Sequence, residues 1–220
     1  MVKILTYDDQ TIEVLQKTFS QKGLILKACY LNSGKTVKDD TNLIRFLIKA
    51  GHTGPFEHII YTFNINNISR SFLAQITRHR IGTFSSTSQH YQDYRDYPFI
   101  ISPNTTTLRR HAFELSFNKA MSTYQFMIKM GEPKEEARQV LPNAMGVNLL
   151  WTVNARSLMN FFTQRLCRRN ILEMTTFADN LYKIVYPDFP ELWRNVGPAC
   201  KFGPCNQGTM KCEEAYRVYP

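Results

Sequence analysis

The segment RHRIGTFSSTSQHY, residues 78–91, carries the strongest chemical signal in this chain. It begins with Arg78, His79 and Arg80, so two permanent positive charges flank an imidazole. Like charges this close repel each other unless an anion lies among them. Hydroxyl side chains follow at residues 83 and 85–88 and supply small hydrogen-bond donors. The segment predicts a pocket for phosphate, or for an electron-rich ring whose negative charge increases on reduction. The alternative is an exposed basic helix end that leads into a Ser/Thr loop.

The sequence around this segment predicts both strands and helices. Residues 59–65 alternate apolar and polar side chains, a pattern typical of a strand. The spacing of apolar residues from Phe72 onward is helical and continues into Arg78, His79 and Arg80. Further helices are predicted over 41–50, 108–130, 133–142, 155–166 and 171–184. No linker rich in Pro, Gly or Ser interrupts the chain. We therefore expect one domain over residues 1–220.

The helix predicted after Asn154 carries two different faces. Ala155, Met159, Phe162 and Leu166 form one apolar stripe. Asn154 is a good N-cap residue, and Arg156, Asn160 and Thr163 form a neighbouring polar row. This row is either a solvated surface or a ligand-binding face. Solvated helix faces usually carry Lys and Glu, which this row lacks.

Composition limits the classes of protein to which the chain can belong. The 220 residues are 43% hydrophobic and 13% aromatic, which excludes a disordered chain. No apolar run reaches the length of a membrane span, and the N-terminus lacks a signal peptide, so we expect a soluble cytoplasmic protein. The formal net charge of +9 favours polyanionic partners such as nucleic acid or phosphorylated small molecules.

The five cysteines do not predict a disulfide framework, since their number is odd and no secretory signal is present. Three of them lie in a C-terminal tail that we place at residues 197–220. A structural zinc site would draw its ligands from Cys167, Cys200, Cys205 and Cys212. Only the spacing from Cys200 to Cys205 is near that of zinc ligands, so free or buried thiols are the favoured interpretation.

Several ordered motifs resemble those of the flavin-dependent thymidylate synthases. Arg78, His79 and Arg80, followed by Ser88 and Tyr91, match that family's signature. Thr83 replaces its first serine, and His90 replaces its closing arginine, which in the family helps to hold the nucleotide phosphate. Further blocks resemble the family at 51–58, 136–142 and 154–165, with Gly54 in place of a usual hydroxyl residue and with Gln75 matching its glutamine. Together the blocks cover about residues 50 to 175.

The resemblance implies a fold and an activity. The fold is α+β, a single mixed domain with a small β-sheet and several long helices. The reaction transfers a one-carbon unit from methylenetetrahydrofolate to C5 of dUMP, and FAD reduced by NADPH supplies the hydride that completes the methyl group. The family works as a homotetramer whose active sites are shared between subunits.

The resemblance also implies a role for each matching residue. FAD would be bound by Glu57, Arg78, His79, Arg80, Ile81, Asn154, Arg156 and Asn160. The nucleotide dUMP would be bound by Gln75, Ser86, Ser88, His90, Arg138 and Arg165. Of these, Arg165 and Ser88 would be the catalytic residues, with Arg165 at the reacting ring and Ser88 beside the phosphate. His52 and Tyr91 would line the entrance for folate or nicotinamide. A serine nucleophile needs a paired base, and none is visible for Ser88, so a hydroxyl donor is its plainer role.

Two other functions remain open at this point. A related flavoenzyme could act on another pyrimidine nucleotide or add a different C5 group, since His90, Ser86 and Gly54 mark possible changes in specificity. A nucleic-acid-binding module would also account for the positive charge and for arginines interleaved with aromatic residues.

Overall fold

The computed structural model describes residues 2–36 and 40–212, which form strands and helices in mixed order. The strands are β1 (Ile4–Thr6), β2 (Thr11–Lys17), β3 (Ile60–Ser69), β4 (Thr83–Ser86), β5 (Phe99–Ile101) and β6 (Gly146–Asn154). The helices are α1 (Gln21–Ser33), α2 (Asp40–Lys49), α3 (Arg70–Ile76), α4 (Thr107–Lys129), α5 (Lys134–Ala137), α6 (Ala155–Arg165), α7 (Leu172–Val185) and α8 (Pro190–Trp193). The predicted α+β class is confirmed. Within the described residues, no helix combines the length and the apolar character needed to cross a bilayer.

The strands form two sheets. Four strands pair in the order β2-β3-β6-β4. The short strands β1 and β5 pair in parallel, with Ile4 opposite Phe99 and Thr6 opposite Ile101. The predicted strand over 59–65 coincides with β3 from Ile60 onward, and Ile59, Tyr61, Phe63 and Ile65 are all fully buried. The alternation therefore identified the inward face of the strand correctly.

The chain divides into two compact units, which we describe separately. The first unit comprises the described residues of Met1–Glu13, Asn64–Arg80 and Phe84–Trp151. The second comprises those of Val14–Phe63, Ile81–Thr83 and Thr152–Pro220. The single domain over residues 1–220 and the tail from residue 197 stay predictions, and residues 213–220 of that tail lie outside the described residues.

Stacked aromatic rings form much of the core of the first unit. Phe99 on β5 stacks on Phe117 of α4 with ring centroids 4.2 Å apart. Phe84 on β4 stacks on Trp151 of β6 at 5.8 Å. Because large rings bury much apolar area, these two stacks fix a helix and a strand to their neighbours.

The core of the second unit is built around Trp193, which is fully buried. Its ring contacts Phe162 of α6 edge-on at 5.6 Å and Tyr61 of β3 at 6.2 Å. The Tyr182 hydroxyl of α7 donates a hydrogen bond to the Trp193 carbonyl oxygen at 2.6 Å, which satisfies a polar group that would otherwise be buried alone. These contacts hold α6, which carries several of the predicted site residues.

Most of the predicted helix boundaries agree with the structure to within about two residues, the usual uncertainty of helix ends. Two predictions were wrong. The helix expected over 133–142 is only the short α5, followed by a 3₁₀ turn over Arg138–Val140. The helical spacing after Phe72 ends with α3 at Ile76, so Arg78, His79 and Arg80 are not helical. Strand β6 was not predicted.

Candidate functional site

The basic cluster Arg78, His79 and Arg80 lies in a turn that directly follows α3. The Ser69 hydroxyl caps this helix by accepting a hydrogen bond from the Phe72 backbone N–H at 2.9 Å. At the other end, the Thr77 hydroxyl donates to the Leu73 carbonyl oxygen at 2.8 Å, and the His79 N–H donates to the Ile76 carbonyl at 3.1 Å. The bond from the His79 N–H to the Ile76 carbonyl spans three residues, and such an i→i+3 bond tightens the chain where the helix ends.

This turn leaves two positive charges uncompensated. Arg78 and Arg80 are exposed, and neither guanidinium group forms an ion pair or a side-chain hydrogen bond with any residue in 2–36 or 40–212. His79, between them, is half-buried. Since a guanidinium group stays charged at any working pH, the turn offers two cations to an anionic ligand.

A second group of predicted residues meets in the first unit around α5. The His90 Nδ1 atom lies 2.6 Å from the Glu135 Oε2 atom, and the His90 backbone N–H donates to the Ser88 hydroxyl oxygen at 3.2 Å. The Arg138 Nε–H donates to the backbone carbonyl of Glu135 at 2.9 Å. Two other residues predicted to bind dUMP are thus linked to His90, Ser88 directly and Arg138 through Glu135.

Tyr91 belongs to the same group. Its ring contacts the His90 ring edge-on at 4.4 Å, and its carbonyl oxygen accepts a hydrogen bond from Lys134 Nζ at 3.3 Å. The Tyr91 side chain is 76% exposed, so a ligand can reach it. We call Ser88, His90, Tyr91, Glu135 and Arg138 the His90 cluster. Sequence reasoning missed Glu135, because no local pattern connects α5 with the loop after β4.

The other two nucleotide residues predicted in this unit lie on regular elements. Gln75 is half-buried on α3, and Ser86 is exposed at the end of β4. The next residue, Thr87, is fixed to β6, since its backbone N–H donates to the Asn148 carbonyl oxygen at 3.0 Å. This bond anchors the start of the loop that carries Ser88 and His90.

Helix α6 presents a polar face in the second unit. The Asn154 Oδ1 atom caps it by accepting a hydrogen bond from the Ser157 N–H at 2.8 Å. The exposed side chains of Arg156, Asn160 and Thr163 share one face, as the sequence predicted, while Phe162 is buried. The Asn154 Oδ1 atom serves the cap, so its Nδ2 group remains available as a donor to a ligand.

Glu57 and Arg156 lie together although they are far apart in the sequence. Glu57 belongs to a 3₁₀ turn over Gly54–His58, and its Oε1 atom pairs with Nη1 of Arg156. Their side chains are about half exposed, so the pair is open to solvent and contributes little to stability. The resemblance assigned both residues to FAD, and the structure places them side by side.

The remaining predicted residues of this unit make other contacts. Asn160 Oδ1 accepts a hydrogen bond from Gln164 Nε2 at 3.1 Å, within α6. Arg165 is half-buried at the end of α6, and its Nη1 donates to Asn170 Oδ1 at 3.0 Å. Ile81 is 71% exposed, and His52 is exposed beside the Phe46 ring at 6.2 Å.

Three cysteines line one cavity in the second unit. Cys167, Cys200 and Cys205 contribute to a cavity of about 520 Å³, together with polar side chains that include Arg169 and Gln207. Cys212 is not among its lining residues. No group of three or more His, Cys, Asp or Glu residues in 2–36 and 40–212 is arranged to hold a metal ion. The zinc hypothesis gains no support from this geometry.

Lys201 fixes the chain beside that cavity. Its Nζ donates to the Val196 carbonyl oxygen at 2.8 Å and to the Tyr182 hydroxyl at 2.9 Å. Burial lowers the pKa of Lys201 from its ordinary 10.5 to about 8. A side chain at Gly197, whose φ is +154°, would come within 2.7 Å of Lys201 Cδ, so glycine is needed there.

Comparison with known proteins links these features to one family. Residues 4–191 match the family described as Thymidylate synthase complementing protein. The chain is 34% identical over 207 residues to a protein of Geobacter sulfurreducens named Flavin-dependent thymidylate synthase, with 89% of each chain covered. A protein of the same name from Clostridium tetani is 33% identical, with 97% of this chain and 93% of the relative covered.

The fold also resembles a solved structure. A UMP/dUMP methylase from Streptomyces cacaoi, crystallised with 5-bromo-dUMP, superposes with a TM-score of 0.77 at 22% identity. The match covers 88% of this chain and 96% of the methylase.

Proposed function

This chain belongs to the family of thymidylate synthase complementing proteins, and on that basis we propose that it is a flavin-dependent thymidylate synthase. It makes dTMP from dUMP, with methylenetetrahydrofolate as the one-carbon donor and NADPH as the reductant. The observation that carries this proposal is the family match over residues 4–191. Two relatives that are named Flavin-dependent thymidylate synthase, and that match 89% and 97% of this chain, support it.

The chemistry of the side chains fits FAD, which is anionic through its two phosphates. Arg78 and Arg80 are exposed cations whose side chains form no ion pair or hydrogen bond with the described residues, and an anion relieves their mutual repulsion. We assign FAD binding to Glu57, Arg78, His79, Arg80, Ile81, Asn154, Arg156 and Asn160. When bound, FAD supplies the hydride that converts the one-carbon unit into a methyl group.

The residues in the second unit have distinct parts in that assignment. Arg156 offers its guanidinium group to the flavin, and Glu57 holds this group in place through their ion pair. Asn154 donates its free Nδ2–H groups while its Oδ1 atom caps α6. A rigid, capped helix that presents two such donors in its first turn positions them better than a loop would.

We assign dUMP binding to Gln75, Ser86, Ser88, His90, Arg138 and Arg165. Ser88 acts as a hydroxyl donor, because its Oγ atom already accepts the His90 N–H and pairs with no base among the described residues. Arg165 lies beside the pyrimidine and stabilises negative charge that develops on a uracil carbonyl when C5 is attacked. Its hydrogen bond to Asn170 fixes the direction of the guanidinium group.

Two further elements of the proposal concern access and assembly. His52 and Tyr91 are both exposed, which suits residues that line the entrance for folate or nicotinamide. The protein acts as a homotetramer in the cytoplasm, and neighbouring subunits share each active site.

The proposal is tested by isotope release. The purified protein is reconstituted with FAD and incubated with dUMP tritiated at C5, methylenetetrahydrofolate and NADPH. Replacement of the C5 hydrogen by carbon releases tritium into water, so we expect release that depends on all three additions. The matched control omits NADPH. A protein that retains FAD but releases no tritium would contradict dTMP synthesis.

A second candidate function keeps FAD and changes the nucleotide. His90 replaces the arginine of the family signature, and the Streptomyces methylase with the same fold is described as acting on UMP as well as dUMP. Gly54 also departs from the family motif, which usually has a hydroxyl residue there. Packing does not require a glycine at this position, since an added Cβ atom would meet no atom within 4 Å. Parallel assays with UMP tritiated at C5 distinguish the two candidates.

A further inference from the structure

Three thiol groups meet at one cavity that the proposed function does not use. Cys167 follows α6, while Cys200 and Cys205 belong to the segment 197–207, and all three line the cavity of about 520 Å³ described above. We call it the thiol cavity. The segment 197–207 lies beyond residue 191, where the match to the family ends. All three cysteines are half-buried thiols, so a small molecule in the cavity can reach their sulfur atoms.

The walls of the thiol cavity suit a ligand that carries a negative charge. Among the described residues that line it there is no Asp, Glu or His, so an anion meets no carboxylate there. Arg169 is exposed on the wall, and its guanidinium group contacts two neutral atoms, Gln207 Oε1 at 2.6 Å and Met210 Sδ at 3.9 Å. Its charge is therefore left for a ligand, and a planar carboxylate is the group that arginine binds with two hydrogen bonds.

Two amide side chains of the wall can bind a peptide group. Gln164 Nε2 donates to Asn160 Oδ1 at 3.1 Å, which leaves Gln164 Oε1 as an acceptor. Asn206 Oδ1 accepts from Gln207 Nε2 at 3.0 Å, which leaves Asn206 Nδ2 as a donor. Together with Arg169, these groups match the N–H, the carbonyl oxygen and the carboxylate of a short peptide. Pockets of roughly 300–1,000 Å³ typically hold small ligands, so the volume is sufficient for one half of a peptide disulfide.

The two thiols of the segment 197–207 are held to different degrees. Next to Cys200, the Lys201 Nζ atom forms hydrogen bonds of 2.8 and 2.9 Å, which fix this part of the segment. By contrast, residues 203–205 form no hydrogen bond with any residue in 2–36 or 40–212. Gly203 adds backbone freedom at this place. Cys205 can therefore move towards a Cys200 that stays in position.

We propose that the thiol cavity binds a peptide disulfide that carries a carboxylate, and that Cys205 and Cys200 exchange thiols with it. Arg169 binds the carboxylate, and the ligand sulfur atoms then lie among the cysteines of the wall. The inference does not depend on the proposed function, since no cysteine is assigned to FAD or dUMP.

The exchange has two steps, and each breaks one S–S bond and forms another. In the first, the Cys205 thiolate attacks one sulfur atom of the ligand, and half of the ligand leaves as a thiolate that takes up a proton. In the second, the Cys200 thiolate attacks the Cys205 Sγ atom of the mixed disulfide and expels the other half. The protein loses two electrons and two protons, and the ligand gains both and becomes two thiols.

The experiment incubates the purified protein with oxidised glutathione, a peptide disulfide that carries carboxylates. Remaining thiols are alkylated, and intact mass and peptide mapping locate the products over time. Wild type is compared with Cys200→Ser, Cys205→Ser, Cys205→Ala and Arg169→Gln, each shown to be folded by urea unfolding. Cys29 on α1, outside the thiol cavity, is the matched control thiol. Hydroxyethyl disulfide, which is uncharged, is the matched control reagent.

We expect wild type to form a disulfide between Cys200 and Cys205, and Cys200→Ser to accumulate glutathione on Cys205. Cys205→Ser and Cys205→Ala should form neither product. Arg169→Gln should slow the reaction with oxidised glutathione about threefold to tenfold, as expected for one charge-assisted contact that is open to solvent. The same substitution should leave the rate with hydroxyethyl disulfide unchanged.

Three results would overturn the inference. Glutathione attached to Cys29 as rapidly as to Cys205 would show that surface thiols react without selection. A disulfide that runs through Cys167 or Cys212 would show that the assigned pair is wrong. Equal rates of Arg169→Gln and wild type with oxidised glutathione, or equal slowing with both reagents, would show that the wall has no carboxylate site. None of these results bears on dTMP synthesis, which the tritium assay tests separately.

Discussion

Asn154 has a structural role that can be separated from its proposed role in FAD binding. Its Oδ1 atom caps α6, and its Nδ2 group is assigned to the cofactor. Serine caps helices about as well as asparagine but has no amide donor. Asn154→Ser should therefore remove the cofactor contact and keep the cap, while Asn154→Ala should remove both.

The structure sets the size of each effect. Loss of the 2.8 Å bond to the Ser157 N–H in Asn154→Ala should cost about 1 kcal/mol of unfolding free energy. For a chain of this length that cost lowers the Tm by about 2–4 °C. Asn154→Ser should stay within about 0.5 kcal/mol of wild type. Loss of one neutral hydrogen bond should weaken FAD binding about twofold to tenfold in both variants.

The assay combines urea unfolding of the FAD-free protein with FAD titration followed by flavin fluorescence. We expect stability and FAD affinity to separate in Asn154→Ser and to fall together in Asn154→Ala. If Asn154→Ser binds FAD as tightly as wild type, the residue is only a cap. If it is as unstable as Asn154→Ala, the capping geometry is not the source of the stability.

Three further substitutions test other parts of the structure. Arg156→Ala should weaken FAD binding about tenfold or more yet change the unfolding free energy by less than about 1 kcal/mol, because its pair with Glu57 is half exposed; a larger loss of stability in urea would refute this. Arg165→Ala should lose dUMP affinity and keep FAD, as measured by calorimetry on the yellow protein, and matching losses of both ligands would show that the assignment of residues to ligands is wrong. Lys201→Met tests pH dependence: burial holds the pKa of Lys201 at about 8, below its ordinary 10.5, so between these values the unfolded chain binds a proton that the folded chain does not. The unfolding free energy of wild type should therefore rise with pH relative to that of Lys201→Met, by less than about 1.4 kcal/mol per pH unit because the amine is half exposed. The measurement is urea unfolding of both proteins at pH 8 and pH 10. An equal difference in unfolding free energy between the two proteins at both pH values would contradict the assigned burial.

Elements with a regular apolar period could be predicted from the sequence. The alternation in 59–65 located the inner face of β3. The spacing of Ala155, Met159, Phe162 and Leu166 located the inner face of α6, where Met159 is half-buried and the other three are buried. Strand β6 carries the same kind of signal, since Val147, Leu149, Trp151 and Val153 are buried. Leu150, 40% exposed, interrupts that alternation, which weakened the pattern.

The ends of two helices could not be predicted, for different reasons. No glycine or proline lies between Ile76 and Ile81, so the end of α3 depends on the Thr77 side chain and an i→i+3 bond that any sequence can form. Helix α5 ends early because Pro142 favours an extended conformation at Leu141, whose ψ is 129°. The preceding residues then close as a 3₁₀ turn over Arg138–Val140.

The candidate site depends on contacts between distant parts of the chain. The resemblance selected Glu57 and Arg156 together, and the structure places them in contact. It selected His90 but not Glu135, because a motif records the residues of related proteins and His90 departs from that motif. A departure of this kind changes which neighbours matter, and only the folded structure shows the new neighbour.

The cations assigned to ligands divide into two kinds, which differ in what an anion gains by binding. Arg78 and Arg80 have no carboxylate partner among the described residues, so an arriving anion relieves repulsion and displaces only water. Arg156 contacts the Glu57 carboxylate, which holds the side chain in one position but attracts part of its charge. The charge of Arg156 is permanent, so Glu57 affects only the position of the guanidinium group and the strength with which it binds an anion. An anion at Arg156 therefore competes with a carboxylate that is already in place, whereas an anion at Arg78 or Arg80 does not.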